Sequence, residues 1–364
     1  MSEQISLFKT GEIIDENTVS VDKVIFTKRL KVISLFSGCG GMDLGFRGGF
    51  DIFGKDYEYN PYDIVFANDI TKKACETYEH NFGHKPHCGD IKDLDYKTLP
   101  KADIVIGGFP CQDFSLAGKR KGLSSERGRL YLEMKKVIEH CNPMAFVAEN
   151  VDGIRKSKTG DDTTALDIII EDFKSIGYEV VYKAVNAADY GVPQNRIRVI
   201  IVGIRKDINK KMKYPKITHG ELGKQKWMNS KEAIDDLWDK IDATEIKNHT
   251  KRDYSKAKFY PGKRMQGNCQ INADRPSPTI RAEHHGNIEG HYRSMNPNNP
   301  DDMTGWRRLS VRECARLQTF PDNFEFPCAP SDAYKQIGNA VPPILGWNIA
   351  RALYKSLFAD VQEQ

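Results

Sequence analysis

Up to Arg205 the chain carries short runs rich in Val, Ile and Phe: KVISLF, DIVFAND, ADIVIGGF, AFVAEN, EVVYKAVNA and RVIIVGI. Between them lie longer stretches whose apolar residues fall at helical spacing, such as TKKACETYEHNF, RLYLEMKKVIEH and TALDIIIEDFKSI. Alternation of this kind predicts an α/β fold, a doubly wound, mostly parallel sheet with helices on both faces. No internal repeat or low-complexity segment interrupts it.

Past Arg205 the alternation stops. From Lys206 to about Gly305 the chain is lysine-rich, with Trp227, Trp238, Tyr254, Phe259, Tyr260 and, just beyond, Trp306 scattered through it. SVRECARLQTF then reads as a helix opened by a capping box, Ser310 with Glu313. A last helix spans roughly Ala333 to Leu357, interrupted near Pro342 and Pro343. The pattern divides the chain into a polar extension (1–30), an α/β body (31–205), a separate module (206–330) and a C-terminal segment that completes the body (331–364).

Composition changes the picture in three places. Hydrophobic residues make up 39%, enough for a real core, and no run approaches the roughly 18 apolar residues of a membrane span. The N-terminus is polar and lacks an apolar signal core, so a soluble protein of the cytoplasm is expected. The net charge is only +4, yet Lys206 to Arg275 holds 17 basic against 10 acidic residues. That basic segment suits a polyanion-facing surface; a lysine-rich solvated face fits it as well. The eight cysteines include no CxxC pair and are expected to be reduced thiols. His84, His87 and Cys88 lie close in sequence but make a poor metal site, and none is expected.

Five predicted strand ends and one strand start carry candidate chemistry. SLFSGCGGMDLGF follows the first strand, where Gly38, Gly40 and Gly41 allow a tight turn and close approach to a ligand at a helix N-terminus. Its spacing is not the GxGxxG dinucleotide fingerprint, which argues against an NAD-dependent oxidoreductase. Asp69 ends the second strand, where an acid can accept from ribose hydroxyls; Asp90 and Ile91 follow the third, suited to an adenine amino group and face. GGFPCQ puts Cys111 behind Pro110 on the carboxyl edge of the sheet, as a nucleophile or as a buried structural cysteine. Glu149 and Asn150 end the next strand. A desolvated carboxyl there can stay protonated and donate to a ring nitrogen. Arg196 and Arg198 stand two apart at the start of a strand, to bind phosphate or a carbonyl oxygen, or to make plain ion pairs.

Taken in order, SLFSGCGG, FPCQDFS, GRLYLEM, ENV, QNRIR, RECARLQTFPD and QIGNAVPP resemble the motif series of DNA cytosine-5 methyltransferases, in size those of bacterial restriction–modification systems. The resemblance implies a class I methyltransferase fold using S-adenosylmethionine, with duplex DNA in the cleft and a flipped-out cytosine as substrate. It implies Cys111 as the nucleophile at carbon 6, Glu149 at ring nitrogen 3 and Arg198 steadying the exocyclic oxygen, with Arg196 also among the catalytic residues. Phe36, the glycines of the turn, Asp69, Ile70, Asp90, Ile91, Pro110, Leu130 and Asn339 would surround the cofactor. The family more often has Glu followed by Trp where this chain has Asp69 and Ile70, so the aromatic wall is missing there. Gln112, Ser115 and Gln194 would meet DNA, as would Lys256, Lys258, Arg281, His284, His285 and Asn287 of the target-recognition module. A monomer is expected, with a cognate endonuclease as a functional partner but not a stable one. Methylation of RNA by the same chemistry and a non-catalytic DNA-binding relative are the competing readings; the presence of Cys111, Glu149, Arg196 and Arg198 argues against the latter.

Overall fold

A computed structural model describes residues 17–110, 130–157, 163–255, 270–282, 290–292 and 306–358. Seven strands form the central sheet: β1 (Leu30–Leu35), β2 (Tyr62–Asp69), β3 (His87–Cys88), β4 (Ile104–Gly107), β5 (Ala145–Val151), β6 (Tyr178–Asn186) and β7 (Ile197–Arg205). Their order is β3-β2-β1-β4-β5-β7-β6. All pairings are parallel except the two made by β7, which runs antiparallel between β5 and β6. The order reverses between β1 and β4. Connections on either side of that point leave in opposite directions and open a crevice at the carboxyl edge.

Successive residues of each strand face opposite layers. Val32, Ile104, Ile106, Val147, Ile200 and Val202 point to the layer containing α1 (Gly41–Arg47) and the C-terminal helices. Ile33, Leu35, Val105, Phe146, Val199 and Ile201 meet α3 (Leu130–Cys141) and α4 (Ala165–Ser175) on the other side, while α2 (Lys72–Phe82) links β2 to β3. α4 opens with a reciprocal cap between Thr164 and Asp167. The box expected at Ser310 is present too, at the start of α6 (Val311–Leu317), and precedes α7 (Pro330–Asn339) and α8 (Pro343–Phe358). The interruption read at the proline pair is the gap between those two helices.

Two features differ from the sequence pattern. Phe50–Ile52 and Lys55–Tyr57 form a small hairpin around Gly54, too short to show periodicity. Residues 206–216 also stay on the α/β body: Tyr214 and Pro215 pair with Thr18 and Val19, and Lys213 N donates to Ser356 Oγ on α8 at 2.9 Å. The polar stretch before β1 is thereby tied down from residue 17 on, with Tyr354 Oη accepting from Thr27 N and Lys28 N at 2.8 Å each. Between α5 (Ser230–Ile234) and α6, Trp238, Ile271, Ile280 and Tyr292 join the same core cluster as the sheet.

Candidate active site at the carboxyl edge of the sheet

After β1 the backbone enters the left-handed region at Phe36 (φ +53°), Gly38 (φ +57°) and Gly40 (φ +91°) before α1 begins. A side chain at Gly40 would place Cβ 2.3 Å from the Phe82 ring, so this turn needs glycine sterically as well as conformationally. Gly38 is different: among the described residues nothing lies within 4 Å of where its Cβ would sit. The empty volume faces a turn held from beneath. Asp69 accepts from Gly38 N at 2.8 Å through Oδ2 and from Thr71 N at 2.7 Å through Oδ1. Its neighbour Asn68, buried, donates through Nδ2 to His87 O and Gly89 O, both at 3.0 Å. One dipeptide therefore fixes the glycine turn on one side and the approach to Asp90 on the other.

Asp90 caps a short 3-10 turn by accepting from Lys92 N at 3.0 Å, and Ile91 is buried beneath it. Ile70 is 67% exposed at the mouth of the crevice. Leu130 is half-buried at the start of α3 and Pro110 half-buried after β4. Asn339 is exposed at the end of α7, one helical turn from Gln336, whose buried Oε1 has no hydrogen-bond donor among the described residues. For an adenosyl cofactor the residues present fit. They offer an open cradle at Gly38, an acid at each of two strand ends and an acceptor without a partner on α7.

The second half of the site lies across β4, β5 and β7. Arg198 Nε is 2.8 Å from Glu149 Oε1, and both side chains are about nine-tenths buried, at 12% and 10% exposure. The pair is a charge contact and not an aligned hydrogen bond, so Oε1 retains its acceptor capacity. Gly108 leaves room for the other oxygen: a Cβ there would come within 3.2 Å of Glu149 Oε2. Asn150 reaches back to the same turn, donating from Nδ2 to Phe109 O at 3.1 Å. Phe109 itself packs near the Tyr131 ring, 6.1 Å between centroids. The turn ending in Pro110 is thus fixed by β5 and α3. Cys111, Gln112 and Ser115 lie outside the described residues.

Gln194 and Arg196 are placed otherwise than the sequence suggested. Both side chains are fully enclosed. Gln194 donates to Leu317 O and Gln318 Oε1 at 3.1 and 2.6 Å and accepts from Ile280 N at 2.9 Å, leaving no amide atom for a nucleic acid. Arg196 donates to Ile280 O at 3.1 Å and, from Nη2, to Gly338 O and Ala340 O at 2.8 and 2.9 Å. Burial first, and then the nearby charge of Arg198, weaken its hold on its proton, with Glu149 acting oppositely. Three carbonyl dipoles replace the water such a charge loses.

Of the proposed polyanion contacts, Arg281 is exposed at the surface. Lys256, Lys258, His284, His285 and Asn287 lie outside the described residues. Some aromatics of the basic segment serve its internal structure. Arg307 forks onto Glu313 with two contacts of 2.6 Å and lies over Trp238, 4.1 Å to the ring centroid. His249 bridges Ser310 Oγ at 2.6 Å and Leu237 O at 2.7 Å. Asn68 and Gly108 escaped the sequence reading, although each sits beside a residue it singled out.

Among known families, the one described as C-5 cytosine-specific DNA methylase matches residues 30–355. The type II methyltransferase M.BsuRI of Bacillus subtilis is 37% identical over 380 residues, covering 92% of this chain and 82% of that protein. The type II methyltransferase M.NgoFVII of Neisseria gonorrhoeae is 35% identical over 353 residues, with 92% and 88% covered. The fold is shared with the Entamoeba histolytica methyltransferase EhMeth, at TM-score 0.64 and 16% identity over 92% of this chain and 99% of that one. S. pombe Dnmt2 methyltransferase superposes with TM-score 0.60 at 18% identity, with the same coverage.

Proposed function

The chain belongs to the C-5 cytosine-specific DNA methylases, and on that premise we propose that Cys111, Glu149 and Arg198 carry the chemistry at the crevice beside the β1/β4 reversal. The protein is a DNA cytosine-5 methyltransferase of the restriction–modification type. RNA methylation has less support, because both of these relatives, aligned over nine-tenths of the chain, are type II methyltransferases.

Carbon 5 of cytosine is too electron-poor to attack a methyl group unaided. The Cys111 thiolate adds to carbon 6, forming a carbon–sulfur bond and pushing the electron pair toward ring nitrogen 3. The Glu149 carboxyl meets that nitrogen and supplies or shares its proton, and Arg198 steadies the exocyclic oxygen as charge moves through the ring. Bound S-adenosylmethionine supplies the electrophilic methyl. Loss of the carbon-5 proton and expulsion of the Cys111 thiolate restore the aromatic ring. The base must leave the duplex first.

The observation that supports this most is the buried Arg198–Glu149 contact at 2.8 Å, one turn away from the Pro110 that precedes Cys111. A carboxyl and a guanidinium kept dry together can address two adjacent atoms of one planar ring. The turn at Gly38, with Asp69, Asp90, Ile91 and Asn339, would hold the cofactor, and Phe36 would flank its adenine. Of the segment from Lys206 to about Gly305, the part beyond the body-bound residues 206–216 would read the target, Lys256 and Lys258 meeting phosphates.

Expression in a methylation-free bacterial host tests the reading, with genomic cytosines sequenced by a method that distinguishes 5-methylcytosine. The expected result is cytosine-5 methylation in one short sequence context, abolished by Cys111→Ser. A duplex carrying 5-fluorocytosine at that position should trap a covalent adduct that maps to Cys111. Methylation at another atom, or an adduct on another cysteine, overturns it.

A further inference from the structure

We infer that Arg196 is a positioning residue that couples the cofactor side of the site to its DNA side, and that it does not touch the substrate. The inference rests on the reading above, in which Asn339 meets the cofactor and Arg281 meets DNA.

The geometry is that of a bracket. Arg196 Nη2 grips Gly338 O and Ala340 O at 2.8 and 2.9 Å, the two carbonyls that flank Asn339. Its Nη1 grips Ile280 O at 3.1 Å, the carbonyl immediately before Arg281. Gln194 completes the hold by accepting from Ile280 N at 2.9 Å, and Gln318 donates from its own side chain to Ala340 O. The two segments held in this way also touch directly. A Cβ on Gly338 would fall 2.4 Å from the Arg281 carbonyl carbon and 2.6 Å from Ala282 N. Ser277, upstream on the same segment, is laid against Pro193 and Asn195 through backbone hydrogen bonds of 2.9 and 2.8 Å.

The arrangement leaves little room for independent movement. Pulling Arg281 toward a phosphate moves Ile280, and Ile280 shares a guanidinium with the carbonyls around Asn339. A planar guanidinium can serve three acceptors in one fixed fork, whereas an ammonium is a point donor on a flexible stem. A buried charge that satisfies carbonyls from two segments makes separating them expensive, because each would leave a desolvated group unpaired. Binding at either end should therefore favour the same arrangement of the bracket, and coupling of this kind is reciprocal.

The test is calorimetric, on the full chain, with S-adenosylhomocysteine as probe so that no turnover occurs. Its affinity is measured alone, with the duplex containing the methylated site, and with an unrelated duplex. The specific duplex should tighten the wild-type protein's binding by at least about fivefold. In Arg196→Lys that tightening should fall below about twofold while binding without DNA changes less. Equal affinity with and without the specific duplex in the wild type overturns the inference, as does full tightening in Arg196→Lys. Should the variant not fold, hydrogen exchange on the wild type decides instead. S-adenosylhomocysteine should slow exchange at 278–282, and the specific duplex should slow exchange at 336–341. Protection of only the near segment by each ligand rejects the coupling. An Asn339→Ala variant separates this outcome from failure of the underlying reading: unchanged S-adenosylhomocysteine affinity there removes Asn339 from the cofactor site.

Discussion

The Asn150 side chain holds the Phe109 carbonyl oxygen at 3.1 Å, while its own oxygen accepts from Val151 N at 2.8 Å. Both halves of one buried amide are thereby engaged between the end of β5 and the turn leading into Cys111. Asn150→Ala removes two neutral hydrogen bonds, one given to Phe109 O and one accepted from Val151 N, a loss of about 1–3 kcal/mol in stability. Turnover should fall further, by roughly ten- to a hundredfold, because small misplacements of a reacting group are costly. Thermal melting and single-turnover methylation, taken together, check this. A variant that melts far lower yet turns over normally would make Asn150 merely structural.

Glu149 and Arg198 should separate chemistry from binding. Glu149→Gln keeps the shape but removes the carboxyl proposed to share a proton with ring nitrogen 3. It also leaves Arg198 without its carboxylate. The expected loss in turnover is on the order of a hundred- to ten-thousandfold, the range for a positioned acid or base. Affinity for S-adenosylhomocysteine should stay within about twofold, since among the described residues Glu149 meets Arg198 and Gly108 and forms no hydrogen bond or ion pair with the glycine turn. Calorimetry showing a large loss of cofactor affinity would place this carboxyl in the wrong half of the crevice.

Much of the fold was legible because its signals are local. β1, β2, β4, β5, β6 and β7 announce themselves as apolar runs, and α6 by a cap that closes within four residues, Ser310 to Glu313. β3 is harder: only His87 and Cys88 pair, and both are exposed. The roles of Arg196 and Gln194 were not legible at all. Their partners lie 84 and 142 to 144 residues away for Arg196 and 86 to 124 away for Gln194, on segments whose placement no periodicity records. The motif named these residues and left their surroundings blank. A strand's alternation puts Arg196 and Arg198 on one face, yet Arg196 stands just ahead of β7 and turns into the core.

Asp43, buried on α1, gives a pH-dependent signature of the helix that follows the glycine turn. Burial pushes its carboxyl up from the usual 3.8 to about 6, against the opposing pull of hydrogen bonds from Ser34 and Tyr78, each at 2.9 Å. A carboxyl whose folded value is raised contributes stability that is complete below about pH 4 and lost as pH rises through about 6. Asp43→Asn removes that titration. The difference in melting temperature, variant minus wild type, should be flat below pH 4, climb between 4 and 6, and level off above 7. A difference that falls over the same window would mean the hydroxyls favour the ionised form more than burial disfavours it.

Gly38 and Gly41 should fail in different ways when replaced by alanine. At Gly41 the new Cβ would meet Val341 O at 2.4 Å and the Ala340 Cβ at 3.0 Å, wedging the C-terminal segment away from α1. That overpacking should reduce stability by about 1–3 kcal/mol. At Gly38 nothing is struck, and the left-handed backbone alone costs about 1–2 kcal/mol. The methyl instead enters the open space proposed to receive the cofactor. S-adenosylhomocysteine affinity should therefore drop more than tenfold in Gly38→Ala, and out of proportion to its melting temperature. Unchanged affinity in a folded Gly38→Ala protein would show that the open volume is not the cofactor's.

A graft tests where sequence choice resides, and the fold dictates where to cut. Residues 206–216 belong to the body, since Tyr214 N and Lys216 N donate to Asn17 O and Val19 O at 2.9 Å each. Residues 277–282 belong to it as well, held by Pro193, Gln194, Asn195 and Arg196. The stretch exchanged is 217–276, whose own ties to the body run through Asp189, which accepts from Thr218 N and His219 N at 3.0 Å each and from Trp227 Nε1 at 2.9 Å. Within it Trp238, His249 and Tyr254 must be retained, because they seat Arg307 and Ser310. Base-edge contacts supply specificity, while phosphate contacts supply affinity that every sequence shares. Replacing 217–276 by its counterpart from a relative with a different target should move the methylated site by at least one base position while adduct formation at Cys111 continues. Replacing 206–216 alone should leave the site unchanged. Sequencing of methylated cytosines from cells expressing each chimera reads both outcomes. An active 217–276 chimera that still methylates the original sequence would place recognition outside the stretch, and a shift caused by 206–216 would place part of it on the body.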